Sequence, residues 1–522
     1  MEHILSLLVP IAIVAALLYF KLRPKAAVVI GQKIVSPLSQ VYLVGGAATQ
    51  FASITPQPGP SGISLSKTPQ GTRLSIDVTS ASVRIRRDGS NDAIIVKANF
   101  PSNWRVDGQS IAQVAEVGPQ VLTEGSNLAF FGIALQRTVI EASRVQVSNG
   151  EVRIDGNVVK PIFEGDQLEV IVPANFTGSL SVNNHGSDEV TIDDWKGGSL
   201  SLTSTGGGDF KGGYLSGLSS LTIDIEGNGA VDFGAIEADN FSATLENGNF
   251  EVSSVKSGAF AMKVVGTGDI TSDTIELDAG TLELTEQSNC NVAVGELRAS
   301  RKLTIESLSS GDVEITTIKG GEFTLTFASS SNFTNETVEA EAFSFECADD
   351  ATGDFNADSL TASRSLALTA AEGSNCNFNI GSVDSERTQL RSHGVGDVEI
   401  STIRGGSFEG SFGSNSNFNL TDDVQLAAKF DLEMVGTGDA SLSNVNADDV
   451  ALLTTDNANV SIGWMTSKKA SFKNEGSGTV ELEDGNVDSL ELAITDSGDI
   501  NVCGTFAALH TSKTGSGSLN IS

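Results

Sequence analysis

Beyond Asn175 the chain falls into short stretches of apolar–polar alternation that return in the same register about every 20–21 residues. One position per coil marks the register: Glu189, Asp209, Ala230, Asn249, Asp269, Asn291, Asp312, Asn332, Asp354, Asn377, Asp397, Asn417, Asp439, Asn459, Thr479, Asp499 and Ser518. The residue after each marker is apolar throughout, as in Phe250, Ile270, Val292, Val313, Phe333, Phe355, Phe378, Val398 and Phe418. Two residues further on most coils are apolar again, as in Val252, Val294, Ile315, Ile400 and Leu442. Period-two alternation turns these side chains inward and the markers outward, so the apolar column predicts core and the marker column predicts surface. A second alternating stretch in each coil carries pairs such as Leu200/Leu202, Phe260/Met262, Leu303/Ile305 and Leu490/Leu492. Glycine turns of the kind GTGD, SSGD and GVGD separate the two stretches. A unit this short buries its apolar face only by stacking on copies of itself. The pattern therefore predicts an all-β chain in which residues 180–522 form a parallel β-solenoid (β-helix) of about 17 coils, hydrogen-bonded from coil to coil.

From Asn249 to Asn459 the markers alternate Asn and Asp without exception. Neighbouring rungs lie about 4.8 Å apart, where stacked carboxylates would repel at every step. An intervening Asn doubles the Asp–Asp spacing to roughly 10 Å, about one Debye length at 0.1 M salt. Its amide can also donate to the carboxylate beside it. The alternation is explained by reduced repulsion, or by duplication of a two-coil unit of about 42 residues. A functional reading is also open: an evenly ruled acidic strip for a repetitive partner such as a polymer or mineral. Carboxylates about 10 Å apart cannot chelate one Ca²⁺ together.

Upstream, Ile4–Phe20 is an uncharged run followed by Lys21, Arg23 and Lys25, which predicts an uncleaved N-terminal transmembrane helix within 1–25. The basic flank biases the large domain toward the cytoplasm. Residues 26–66, with the stretch TPQPGPSG, are expected to be a linker. Residues 67–179 alternate irregularly (TRLSIDV, ASVRIRR, LEVIVP), which predicts a β domain that begins and caps the solenoid.

A net charge of −34 argues against nucleic acid and anionic lipid surfaces as partners. It favours solubility, with a weakly cation-binding surface as the other reading. Cys290 and Cys376 occupy equivalent places four coils apart, roughly 19 Å at the rung spacing, beyond the reach of a disulfide. Cys347 and Cys503 are expected to lack a partner in an adjacent coil, which agrees with a reducing compartment. No CxxC or Cys/His spacing suits a metal, and no cofactor motif is present.

The stretches TRLSIDVTSASVRIRRDG and QLEVIVPANFTGSLSVNNHGSDEVTI, with the following SLSLTSTGGGDF and FAMKVVGTGDI, resemble the autotransporter-adhesin head domain family, also called head GIN, over about Thr72 to Ser522. The resemblance implies a right-handed parallel β-solenoid, bacterial and envelope-associated, without established catalysis. It also implies an exported body, against the charge bias at the N-terminus.

Catalytic constellations are not evident. His3, His185, His393 and His510 are scattered, and no nucleophile elbow, HExxH or P-loop occurs. Acid groups such as Asp193/Asp194 with Asp209, or Asp349/Asp350 with Asp354, leave open a polysaccharide-active enzyme. Trp195 and Trp464, near coil edges, could stack on sugars, although lone turn aromatics are usually packing. The leading expectation is a membrane-anchored, non-catalytic, adhesin-like binding or scaffold protein. A self-assembling, bactofilin-like filament is the alternative, suggested by a last coil (GSLNIS) without a polar cap, whose backbone groups could pair with another chain.

Overall fold

The computed structural model describes, with side chains, residues 82–90 and 169–522 except Gln287, together with Ile76; for the other upstream strands it provides backbone pairing alone. The expected anchor lies outside the described residues, as do the side chains of the expected linker and most of the cap. Among the described residues there is no helix, and none is long and apolar enough to cross a membrane. The fold is a parallel β-solenoid of about 17 turns. Two compact units divide the chain, Met1–Tyr214 and Leu215–Ser522.

In the first unit, parallel stacking begins well before residue 180. Arg73–Val78 lies parallel to Ser179–Asn184, with Leu74 opposite Leu180 and Ile76 opposite Val182, and Ser179–Asn184 lies parallel to Ser199–Ser204. Val83–Asp88 runs parallel to both Leu168–Pro173 and Val190–Ile192. The alternation in TRLSIDV and ASVRIRR thus belongs to solenoid strands. The chain then makes an antiparallel excursion that includes the pair Val114–Thr123 and Leu128–Ile140. Arg87 pins this region: its guanidinium stacks 4.3 Å over the Trp195 ring and donates to the carbonyls of Ala174, Phe176 and Lys196. Trp195 is 1% exposed and meets Phe176 edge-on at 6.0 Å. It is a packing residue, as lone turn aromatics usually are, and is not open to stack on a sugar.

In the second unit each long strand is bent twice. Phe250–Val264 pairs with Ile270–Leu284 through three runs, Phe250–Val252, Ser254–Ser257 and Ala259–Val264, with residues 253 and 258 at the bends. The middle run adds an apolar column that the two-stretch reading of the sequence did not contain: Val255, Ile275, Leu297, Ile318, Val338 and Leu360, all buried. The first column is buried as well, from Phe250 through Ile270, Val292, Val313, Phe333, Phe355, Phe378 and Val398 to Phe418. Where consecutive coils carry Phe, the rings stack along the axis. Phe345 and Phe355 approach to 4.5 Å between centroids, and Phe333 and Phe355 stack at 5.3 Å.

Cys347 does have a partner, contrary to expectation. It ends the strand Phe333–Cys347, and its sulfur is in bonding contact with that of Cys376 at the start of the strand Asn375–Ser392 in the following coil, with the Cα atoms 6.6 Å apart. Equivalence of position along the repeat is what the sequence exposes; Cys347 and Cys376 sit at different positions and meet across the turn. Cys290 and Cys503 are free thiols. Burial, with the Asp269 charge second, pushes the Cys290 thiol up to about 12, so it stays protonated and acts as packing.

Because the core of each coil packs on the coils next to it, a core lesion is expected to act locally. Phe355→Ala removes a ring that packs on Phe333, Phe345 and Phe378 and should cost about 3–5 kcal/mol. Amide hydrogen exchange should accelerate in the strands Phe333–Cys347 and Thr352–Ala370 while strands from Val460 onward keep their protection.

Candidate functional site

The marker column faces outward at every rung, and the structure shows what holds its side chains. A marker's carbonyl accepts the backbone N–H that follows the marker one coil below, as in Phe250 N to Asp269 O at 2.8 Å and Val292 N to Asp312 O at 2.9 Å. Its own N–H lies at the start of the ladder. The side-chain oxygen of the marker below accepts it: Asp269 N donates to Asn249 Oδ1 at 3.0 Å, Asp312 N to Asn291 Oδ1 at 3.1 Å, and Asp354 N to Asn332 Oδ1 at 3.0 Å. Asp397 N, Asp439 N and Thr479 N bond in the same way to Asn377, Asn417 and Asn459. The Asn rungs return the contact through their amides. Nδ2 of Asn291, Asn332, Asn377, Asn417 and Asn459 donates to Oδ1 of Asp269, Asp312, Asp354, Asp397 and Asp439 at 2.7–3.0 Å. Side-chain hydrogen bonds therefore run unbroken from Asn249 to Thr479.

This geometry explains both residue types. Only a short side chain with an oxygen at Asn/Asp reach can accept from the next rung's N–H. Only Asn can also donate, so each Asp finds a donor above it when Asn follows. Glycine reinforces the two-coil unit: the residue before each Asp is Gly268, Gly311, Gly353, Gly396 or Gly438, whereas the residue before Asn can be Cys290, Ser331, Cys376, Ser416 or Ala458. A Cβ on Gly311 would lie 2.1 Å from the Cys290 carbonyl oxygen, and one on Gly396 2.0 Å from that of Cys376. The dipeptide alternation is visible in the sequence, but only the close approach of the rungs explains it.

A second outward column, two residues along, completes a face: Glu251, Thr271, Ala293, Glu314, Thr334, Asn356, Asn379, Glu399 and so on to Asn520. Neither column carries a Lys or Arg from Asn249 to Asn520. The unit to which they belong holds 48 Asp and Glu against 15 Lys and Arg, so 33 of the chain's 34 net negative charges reside in residues 215–522. Its cations sit on the other sides of the coil, where many are paired, as in Lys256–Glu276 at 3.2 Å and Arg298–Glu296 at 2.8 Å. Arg298 holds the Glu296 carboxyl below the usual range, and Arg364 does the same for Glu322. These exposed pairs add little to stability. The charge segregation, more than any single marker, defines the candidate site.

The remaining candidates are dispersed. Asp193 pairs with Arg84 at 3.2 Å, Asp194 accepts the Tyr214 N–H at 2.8 Å, and Asp354 belongs to the marker ladder. His185 bonds Thr205 and His393 bonds Ser411. Trp464 is 43% exposed and donates to Thr466 Oγ1 at 3.2 Å. A groove of 540 Å³ follows the second bend, lined by charged residues that include Glu237, Lys256, Glu276, Arg298, Lys319 and Asp278. Several of its charges are matched within the protein, including Asp278 by the Ser300 hydroxyl at 2.7 Å. Among the described residues no group of His, Cys, Asp and Glu is arranged to hold a metal ion. The last strands, Thr505–Lys513 and Leu519–Ile521, stack parallel on their predecessors, with Leu509 38% and Ile521 43% exposed. No protein-family profile, curated protein or solved structure matches this chain.

The ladder predicts unequal costs for exchanging Asn and Asp in the two directions. Asn332→Asp would stack three carboxylates from Asp312 to Asp354 and remove a donor, lowering stability by roughly 1–2 kcal/mol. Asp312→Asn keeps both acceptor and donor and should cost less. Denaturant melts of the purified chain check this, and the loss in Asn332→Asp should shrink in 1 M salt.

Proposed function

We propose that this protein is a membrane-anchored, non-catalytic binding or scaffold protein, adhesin-like, whose acidic solenoid face docks a repetitive, amine-bearing polymer. The observation that carries the reading is the face without a Lys or Arg, its side chains held in place by rung-to-rung hydrogen bonds. Ordered side chains lose little further entropy when a partner binds. The aspartates recur every second rung, about 9.6 Å, so a polymer with a comparable charge repeat could match several of them at once and gain by multivalency. The resemblance to envelope-associated head domains supports the same direction, as does the apolar N-terminal run that would serve as anchor.

Cosedimentation of the full chain with insoluble polysaccharides tests the reading. An amine-bearing polymer should bring the protein down at low ionic strength and release it in 0.5 M salt. A variant with Asp312, Asp354 and Asp397 changed to Asn should bind at least fivefold more weakly, and a neutral or anionic polymer should retain neither protein. Equal binding by the variant, or binding that salt leaves unchanged, would remove the face from the function.

A further inference from the structure

We infer that Cys347 and Cys376 close as a disulfide that staples successive coils, and that the solenoid matures where thiols are oxidised. Their Cα atoms are 6.6 Å apart, inside the span of about 4.4–6.8 Å that a disulfide bridges. Both side chains point into the core, at 2% and 3% exposure. Small neighbours make the room: Ala351 and Ala370 are each 1% exposed, and Gly353 lies opposite Cys376 in the register. Ala370 sits directly on Cys347 in the adjacent coil.

The chain contains its own control. Cys290 holds the same place in its coil as Cys376, immediately before an Asn marker. The position that corresponds to Cys347 for that coil is Val264, since the column runs from Val264 through Leu284, Ser307 and Phe327 to Cys347. Cys290 therefore has no partner and stays a thiol. The bonded pair also falls where the coil is longest, with 23 residues from Asp354 to Asn377. The turns there include Asp350 at φ 61° and Gly373 at φ 84°.

Closure is a two-electron exchange. One cysteine thiolate attacks the disulfide of a thiol–disulfide oxidoreductase, and the second then displaces the oxidoreductase thiolate from the mixed disulfide. The protein gains one S–S bond, and the oxidoreductase leaves as its dithiol with the two protons. Such partners operate outside the cytoplasm, so the staple places the large domain on the oxidising side of the membrane, against the bias of Lys21, Arg23 and Lys25. The inference is independent of what the acidic face binds.

Thiol trapping on the native chain tests it without a variant. Cells that make the protein are quenched in acid, and the full chain is denatured in excess N-ethylmaleimide and digested. Mass spectrometry should find maleimide on Cys290 and Cys503 and a linked peptide joining Cys347 to Cys376; prior reduction should label all four cysteines. Four labelled thiols without reduction, or a link that involves Cys290 or Cys503, would overturn the inference.

Discussion

Every coil of this protein passes its backbone hydrogen bonds to the coil above and the coil below, and in-register stacking is the constraint from which the rest follows. A residue in one coil must coexist with its equivalents about 4.8 Å away on both sides. Inward, that rule favours columns of Val, Ile, Leu and Phe that fill one another's gaps, as the rings of Phe333, Phe345, Phe355 and Phe378 do. Outward, it penalises like charges and sets the N–H at the start of each ladder beside the marker side chain of the coil below. The Asn/Asp column answers both demands with one pair of side chains.

The two-coil unit has the same origin. An Asp rung needs Gly before the marker because the preceding coil's carbonyl occupies the space of a Cβ, as at Gly311 and Gly353. An Asn rung can place Cys290, Ser331 or Ala458 there. Stacking thus couples a backbone requirement to a charge requirement, and the two alternate in phase. A column of Asp alone would satisfy each N–H but accumulate repulsion, and one of Asn alone would discard the charge. The observed sequence retains charge at every second rung, at a spacing where salt screens it.

What could be read from the residues alone was whatever repeats. The marker column and the apolar residue after it are periodic, so Phe250 through Phe418 could be placed inside and Asn249 through Asn459 outside without coordinates. The middle strand segment was periodic too, at Val255, Ile275 and Leu297, but its second inward residue is often small or polar, as at Ser257 and Ala299, so the short run between two bends lacks the strong apolar alternation that signals a strand. Residues 73–88 escaped because their stacking partners are separated from them by a long antiparallel excursion. The Cys347–Cys376 contact escaped because it joins two different positions of the repeat. Trp195 looked like an edge aromatic, and its burial under Arg87 depends on a contact with a residue over a hundred positions earlier. The charge-free-of-cation face required the register of two columns at once, which pairing supplies.

The ladder also limits the chemistry open to the face. Its hydrogen bonds use Oδ1 of each aspartate, which leaves one oxygen per carboxylate for an external contact. A hard divalent cation asks for six to eight oxygens converging on one point. Carboxylates about two rungs apart on a flat face cannot converge, and the intervening amides present their oxygens along the stack to the next coil's N–H. An extended partner asks for the opposite: weak contacts, evenly spaced, on side chains that are already ordered. Single contacts of this kind are screened and individually small, and only a partner that spans many rungs can add them. Length is then the variable that selection can act on, because each further two-coil unit adds another anionic step without altering the coils already in place.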